Sequence, residues 1–396
     1  MRIAVVGGKL QGIETCYLAR RAGWEVVLID RDPRAPASGL CSAFFCRDIV
    51  KEPEELTQII SDVDLIVPAV EDFETLQCLA GVAKKDSIPL ALDLDAYAIT
   101  SSKKASDHLF HRLALSVPQP WPDCGFPVIV KPDESSGSKG VRKIADQATL
   151  DLFLEKNRPN LPQWVIQEYL EGPSYSLEVV GLDGRCVALQ PTVLEMDVAF
   201  DCKRVIAPAG LSKDLDAEFR AVAGALAQTL SLTGVMDLEV VYHGGSLKIL
   251  EIDARLPSQT PSAVERSTGI NILECLRQVF VESRLSENPQ IQTERGVVYE
   301  HIRVWADRLE VSGEHIMTQG GPLHMENGFF GADTALTNFS GPDKPWVATL
   351  IISDTDLEKA WKKRCQVIRT TMEACRLSRY RDPVPDGSRV RTERSG

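Results

Sequence analysis

The sequence predicts an α/β protein: a doubly wound N-terminal domain, then a larger α+β region, then a small C-terminal α+β domain. Three observations carry this. The first hundred residues alternate β-rich runs with helical pattern; two apolar runs joined by Gly244-Gly245 read as a hairpin; and the last third mixes short strands with one long helix.

In chain order, "RIAVVGG" enters a strand, "LQGIETCYLARRAG" a helix and "EVVLID" a second strand, and "DLIVPAV" and "IPLALD" follow as strands with a helix between them. Such alternation implies a parallel sheet whose strand ends open on one crevice, with Gly7, Gly8, Lys9 and Gln11 at the first end, Asp30 and Asp32 at the second, and Glu71 after the next. Gly7, Gly8 and Gly12 give G-G-x-x-x-G instead of G-x-G-x-x-G, so the dinucleotide fingerprint is absent. A turn that packs helix on sheet and a contact with some other small ligand both remain open there.

From "SSKKASDHLFHRLALSVPQPW" the pattern is a helix ending at a Pro-rich break. "PVIVKPDESSGSKGVRKI" reads as strand, Gly/Ser-rich loop and strand, and "WVIQEYLEGPSYSLEVVGLDGRCVAL" as strand, connector and hairpin. The expected divisions are 1–101, 102–295 and 296–377, the last holding the strand "WVATLIIS" and the helix "DLEKAWKKRCQVIRTTMEACR". Residues 378–396, polar and rich in Pro and Gly, are expected to be a disordered tail.

Composition narrows the function. The chain has 396 residues, 44% of them hydrophobic and 25% charged, as in ordinary globular proteins, and a net charge of −12 argues against nucleic-acid binding. No run approaches the ~20 apolar residues that span a bilayer, and no leader precedes the first strand, so a cytoplasmic protein with small-molecule partners and no membrane partner is expected. The ten cysteines are scattered, without a Cys-x-x-Cys pair, and read as reduced, mostly buried thiols; Cys41 and Cys46, without a nearby His, receive no catalytic role.

The chemistry-bearing residues fall into a few stretches. Lys131 ends a β-branched strand before a loop of three serines and two glycines, an arrangement whose free backbone N–H groups and ammonium suit a phosphate, although an exposed hairpin with a solvated lysine fits the same residues. Lys103 opens the preceding helix as a second phosphate ligand, and "VIQEYLEG" stops a strand at Gln167 and Glu168, where a flat purine could be held. Glu251 and Asp253 share one face of a strand because side chains alternate, and pairing through the Gly-Gly turn brings Glu239 alongside. Three acids so placed repel one another without a cation and suit Mg²⁺, with Mn²⁺ or Ca²⁺ equally compatible by ligand type.

In order, these stretches resemble the ATP-grasp superfamily over residues 1 to about 295. Within it "GGKLQGIE", "SLEV", "FDCKRVIAP" and above all "EIDARLPSQTPSAV" resemble the pyrrolysine-biosynthesis ligases that join lysine to 3-methylornithine; Asp253 stands where the superfamily commonly has Asn. The resemblance implies an ADP-forming carboxylate-amine ligase using ATP and Mg²⁺, with a homodimer among the possibilities. It implies ATP contacts from Lys9, Asp30, Asp48, Ile49, Lys103, Lys131, Ser138, Gln167, Glu168 and Leu170, and metal ligation by Glu239, Glu251 and Asp253. Leu10, Gln11 and Glu71 would contact lysine. Ser176, Leu177, Glu178, Arg255, Ser258, Gln259 and Thr260 would contact the ornithine-type substrate, with Arg255 catalytic. An apparent insertion around Gly137 to Lys139 leaves the phosphate-contacting flap residue open. Rival readings are another ATP-grasp ligase, a purine-pathway carboxylase, a nicotinamide dehydrogenase and a non-catalytic nucleotide-binding module.

Overall fold

The computed structural model describes residues 1–385. The N-terminal strands β1 (Arg2–Val6), β2 (Glu25–Asp30), β3 (Ala43–Cys46) and β4 (Leu65–Pro68) form a parallel sheet in the order β3-β2-β1-β4. The doubly wound expectation holds. "IPLALD" does not form a strand: it contributes a single bridge, Ile66 to Leu90, because the run turns at once into the Asp93-capped helix Leu94–Thr100. Asp30 ends β2 and accepts the Gly8 N–H at 2.6 Å, which anchors the glycine turn.

A small antiparallel sheet follows, β5 (Val128–Pro132), β6 (Arg142–Ile144) and β7 (Trp164–Glu168), with β5 in the middle. Its β5–β6 connection is the Gly/Ser flap. The rest of the chain builds one twelve-stranded sheet from β8 (Ser174–Leu182), β9 (Arg185–Ala188), β10 (Thr192–Met196), β11 (Cys202–Ala207), β12 (Gly234–His243), β13 (Ser246–Asp253), β14 (Gly296–Trp305), β15 (Arg308–Val311), β16 (His324–Asn327), β17 (Thr334–Thr337), β18 (Trp346–Asp354) and β19 (Arg379–Arg381). The main order is β13-β12-β8-β10-β11-β14-β18-β17-β16. Because β11 pairs with β14, Arg204 opposite Glu300, the sheet runs without interruption across residue 295.

Residues 378–385 are not a disordered tail. β19 pairs in parallel with β15, and Asp382 binds Lys203 Nζ at 2.5 Å and Arg204 Nη2 at 2.6 Å. Those two cations are almost fully buried, and Lys203 has no other carboxylate partner among the described residues, so the segment is held by a charge that would otherwise lie unpaired. Glu300 completes the network, accepting from Arg204 Nε at 2.9 Å and from Arg364 Nε at 2.7 Å. The remainder of the expected tail, 386–396, lies outside the described residues. All ten cysteines are free, but only Cys16 and Cys375 are buried, fewer than expected: Cys46 and Cys365 are exposed and the other six are half-buried.

Candidate active site

The β12–β13 hairpin closes through Gly244 and Gly245, both at positive φ (59° and 89°), the conformation a two-residue hairpin turn requires. That turn sets Val240 opposite Ile249, and a one-residue bulge at Leu250 then shifts the register so that Glu239 lies opposite Glu251 and Asp237 opposite Asp253. On the other side of β12, β8 sets Ser176 opposite Glu239 and Glu178 opposite Asp237. Directly opposed residues share a face, so one surface of three adjacent strands carries five carboxylates and a serine. The other face carries Leu177, Leu238 and Ile252, which pack with Phe219 and Ala223 of the helix Lys213–Thr229. Leu177 therefore points its side chain into the core and has only its backbone to offer a ligand.

The acidic face forms one wall of a cavity of about 130 Å³, closed by the flap residues Ser136–Ser138, by Arg255 and by the Ser258–Thr260 segment. Crowding within it is visible in proton affinity. Burial, then Asp237, pushes the Glu178 carboxyl up to about 8, and neither of its oxygens has a hydrogen-bond partner. Burial, reinforced by Asp237 and Glu251, raises Glu239 well above the usual carboxylate range. Asp253 rises to about 7 through burial, although Arg255 pulls it the other way, and its Oδ1 is unpartnered. Asp237 rises to about 6 by burial, tempered by the Ser176 hydroxyl at 2.5 Å. Glu239, Glu251 and Asp253 thus present half-buried, crowded carboxylate oxygens on one face, a donor set that fits a hard divalent cation.

Cations approach from the small sheet. Lys103 Nζ lies 3.6 Å from Glu251 and donates to the Ser135 carbonyl at 2.5 Å. Lys131 is buried, with its Nζ 3.3 Å from the Leu250 carbonyl; burial lowers its pKa, opposed by Glu251 and deepened by Lys103. Lys131, Ser138, Gln167, Glu168 and Leu170 all line a second, larger cavity of about 1060 Å³, which Glu239 and Glu251 also border. Glu168 is fixed there by Lys248 at 2.7 Å. Ser138 sits at φ 56° and donates its hydroxyl to the Phe200 carbonyl.

Arg255 is the hub between this site and the N-terminal crevice. Its Nη2 reaches Asp253 Oδ2 at 2.8 Å and Glu71 Oε1 at 2.6 Å. Glu71 also accepts from Gln11 at 2.8 Å and from the Ser136 hydroxyl, tying the first helix, the flap and the arginine together. Burial would raise the Glu71 pKa, but Arg255, Ser136 and Gln11 together hold it below the usual value. Leu10 opens the same helix, half-buried against the core. Lys9, Asp30, Asp48 and Ile49 stand apart and line neither cavity. Lys9 is exposed, Asp48 pairs with Lys51 at 3.0 Å, and Ile49 is buried in the N-terminal core with its carbonyl accepting from the Cys78 thiol at 3.3 Å.

Ser258 donates to Glu314 at 2.7 Å. Gln259, at φ 71°, and Thr260 are buried with Oε1 and Oγ1 unpartnered. Glu14, from the first helix, accepts the Ser262 N–H at 2.6 Å and so steadies the start of the helix Thr260–Thr268. Asp237, Asp201, Glu314 and Glu14 were not foreseen from the sequence. Asp237 shares the period-two pattern of Glu239 and could have been read from it, whereas Asp201, Glu314 and Glu14 come from segments with no fixed spacing to the hairpin.

Comparison with known proteins accords with this architecture. The ATP-grasp domain family matches residues 100–259. The 3-methyl-D-ornithine–L-lysine ligase of Methanosarcina barkeri (strain Fusaro / DSM 804) is 34% identical over 373 residues, covering 94% of this chain and 98% of that protein. The protein of the same name from Methanosarcina mazei is 36% identical over 319 residues, or 80% and 82% of the two chains. Among solved structures, an ADP complex of N5-carboxyaminoimidazole ribonucleotide synthetase superposes with a TM-score of 0.68 at 14% identity, covering 94% of this chain and 97% of the other. Biotin carboxylase from Campylobacter jejuni gives 0.71 at 13%, covering 94% and 91%. The fold and the matched domain define a protein of the ATP-grasp class. Within that class, the chain belongs to the 3-methyl-D-ornithine–L-lysine ligase family.

Proposed function

We propose that the protein activates the carboxylate of 3-methyl-D-ornithine, or D-ornithine, as an acyl phosphate at the expense of ATP and joins it to the side-chain amine of L-lysine, a step of pyrrolysine biosynthesis. The observation that carries this reading is Glu178, a buried carboxylate with both oxygens unpartnered, set opposite Asp237 on the strand face whose other acids line the 130 Å³ cavity with Arg255. An unpaired buried carboxylate is costly unless a cation reaches it, and a diamino acid supplies an ammonium.

In this reading adenine lies along Gln167, Glu168 and Leu170, Lys103 and Lys131 neutralise the phosphates, and the Ser138 flap covers them. Glu239, Glu251 and Asp253 would hold Mg²⁺, which when bound neutralises phosphate charge. Glu178 and the Ser258–Thr260 segment seat the ornithine-type substrate, with Leu177 contributing its backbone. Arg255 steadies the acyl phosphate and then the tetrahedral oxyanion through its planar fork. Lysine enters beside Leu10, Gln11 and Glu71. Glu71, already paired with Arg255, orients that arginine as well as meeting an incoming amine. Lys9, Asp30, Asp48 and Ile49 are assigned to a peripheral nucleotide contact in the N-terminal crevice.

The test is mass spectrometry after incubation with MgATP, D-ornithine and L-lysine. The expected result is a condensed amide mass with one ADP per amide, lost when either amino acid is omitted. ADP release that depends on bicarbonate and not on the amino acids would replace this reading with a carboxylase.

A further inference from the structure

Amide formation requires a nitrogen with a free electron pair, yet lysine arrives at neutral pH with its ε-amine protonated. None of the roles above removes that proton. We propose that Glu314 is the proton acceptor for the attacking ε-ammonium, an assignment that rests on the ligase reading and adds a catalytic group to it.

Glu314 opens the short 3-10 turn Glu314–Gln319, is 8% exposed, and lies in the wall of the same cavity as Arg255 and Glu239. It makes no ion pair among the described residues; the Ser258 hydroxyl fixes its Oε2 at 2.7 Å. The other acids are committed: Glu71 to Arg255, Glu239, Glu251 and Asp253 to the cation, Asp237 to the Ser176 hydroxyl at 2.5 Å, while Glu178 does not line the cavity and is assigned to the ornithine-type substrate. Beside Glu314, Asp201 Oδ2 accepts the His315 backbone N–H at 3.1 Å and faces His315 Nδ1 at 3.0 Å. One ligand atom from each of Asp201, Glu314 and His315 lies within 4.8 Å of the others. The His315 side chain is 44% exposed and its ring lies under the flap, where a Cβ on Gly137 would come within 2.5 Å of Cε1. A carboxylate inside the cavity and an oriented imidazole outside it form a proton exit.

Burial, then the charge of Asp201, lifts the Glu314 carboxyl to about 7, so it can accept a proton at neutral pH and release it again. Asp201 faces it from the β10–β11 connection, Cys202 from the start of β11, Glu239 from β12, Glu14 from the first helix, Tyr299 from β14, and His315 alongside. In the step, the N–C bond forms and the C–O bond to phosphate breaks, its electron pair leaving on phosphate. Of the two protons the ammonium loses, one goes to Glu314 and out past His315, and the other departs on inorganic phosphate.

The experiment compares wild type, Glu314→Gln and Glu314→Asp with MgATP and D-ornithine, using either lysine or hydroxylamine, an amine already neutral at pH 7. Glu314→Gln should cut amide kcat by about 10²–10⁴-fold while leaving the KM for lysine and the rate of hydroxamate formation near wild type. The rise of wild-type amide formation through about pH 7 should vanish in Glu314→Gln. Glu314→Asp should restore part of kcat. Equal loss of amide and hydroxamate would overturn the assignment in favour of a structural role, and a raised lysine KM with intact kcat would make Glu314 an ammonium anchor. If wild type forms neither product, the ligase reading falls and this assignment with it.

Discussion

Replacing Glu178 by glutamine should make the ligand-free protein more stable at neutral pH while destroying its use for a cationic substrate. The side chain is fully buried on β8, opposite Asp237, with no donor to either oxygen. Its carboxyl moves from the ordinary 4.5 to about 8, chiefly through burial. A native state with the raised pKa binds the proton more tightly than the unfolded chain does. This group therefore costs nothing below about pH 4.5, erodes stability as pH rises, and costs most above about 8. At pH 7 the erosion is about 3 kcal/mol, since each tenfold change in proton affinity is worth about 1.4 kcal/mol. Glutamine keeps the shape and removes the titration, returning about 2 kcal/mol after ~1 kcal/mol for its own unsatisfied amide. The assay is urea unfolding of both proteins at several pH values from 5 to 8, with and without D-ornithine. Wild type should lose stability across that range and regain it with D-ornithine; Glu178→Gln should show a flatter profile and no gain from the ligand. A variant no more stable than wild type at pH 8, or one that D-ornithine still stabilises, would refute the reasoning.

Glu251→Gln should reduce turnover by ~10²-fold or more with the fold intact, measured as ADP release at saturating Mg²⁺ beside a circular-dichroism melt. Arg255→Lys keeps the charge but reaches Asp253 and Glu71 with one ammonium instead of a fork, so it should release ADP without amide and yield hydroxamate when hydroxylamine is present. Asp382→Ala leaves Lys203 and Arg204 without the carboxylate that now binds both, and should cost about 3–5 kcal/mol in denaturant unfolding.

The legible parts of this molecule were those whose residues lie close in sequence and obey a local period. The Gly-Gly turn and the acids of "LEV" and "LEID" put Glu239 and Glu251 on neighbouring strands, but the one-residue bulge at Leu250 that sets them directly opposite each other has no local signal. The strand-helix alternation likewise announced the parallel sheet. What could not be read depends on long-range packing. Glu14 lies in a helix buried on every side from Gly12 to Ala19, so no polar face marks it as unusual. Glu314 meets Ser258 only because β14 returns beside β11, a pairing that no local pattern encodes. Leu177 misled in the opposite sense: it sits between two polar positions, but a strand sends alternate side chains to opposite faces, and its own faces the core. Residues 378–385 looked unable to order because the segment is polar and Pro-rich; the charge of Lys203 and Arg204, 178 or more residues earlier, supplies what hydrophobicity does not.

The clasp between Lys203 and Asp382 also sets an order of events during synthesis. The two residues are 179 positions apart, and at about 5–20 residues per second a ribosome takes roughly 9–36 s to travel from one to the other. Throughout that interval β11 exists with its buried lysine still lacking this partner, so the middle of the great sheet stays unsealed until Asp382 has emerged. A nascent chain released before Asp382 is made would carry that exposed cation as a mark of incompleteness, open to chaperone or protease, whereas one that has reached Asp382 conceals it.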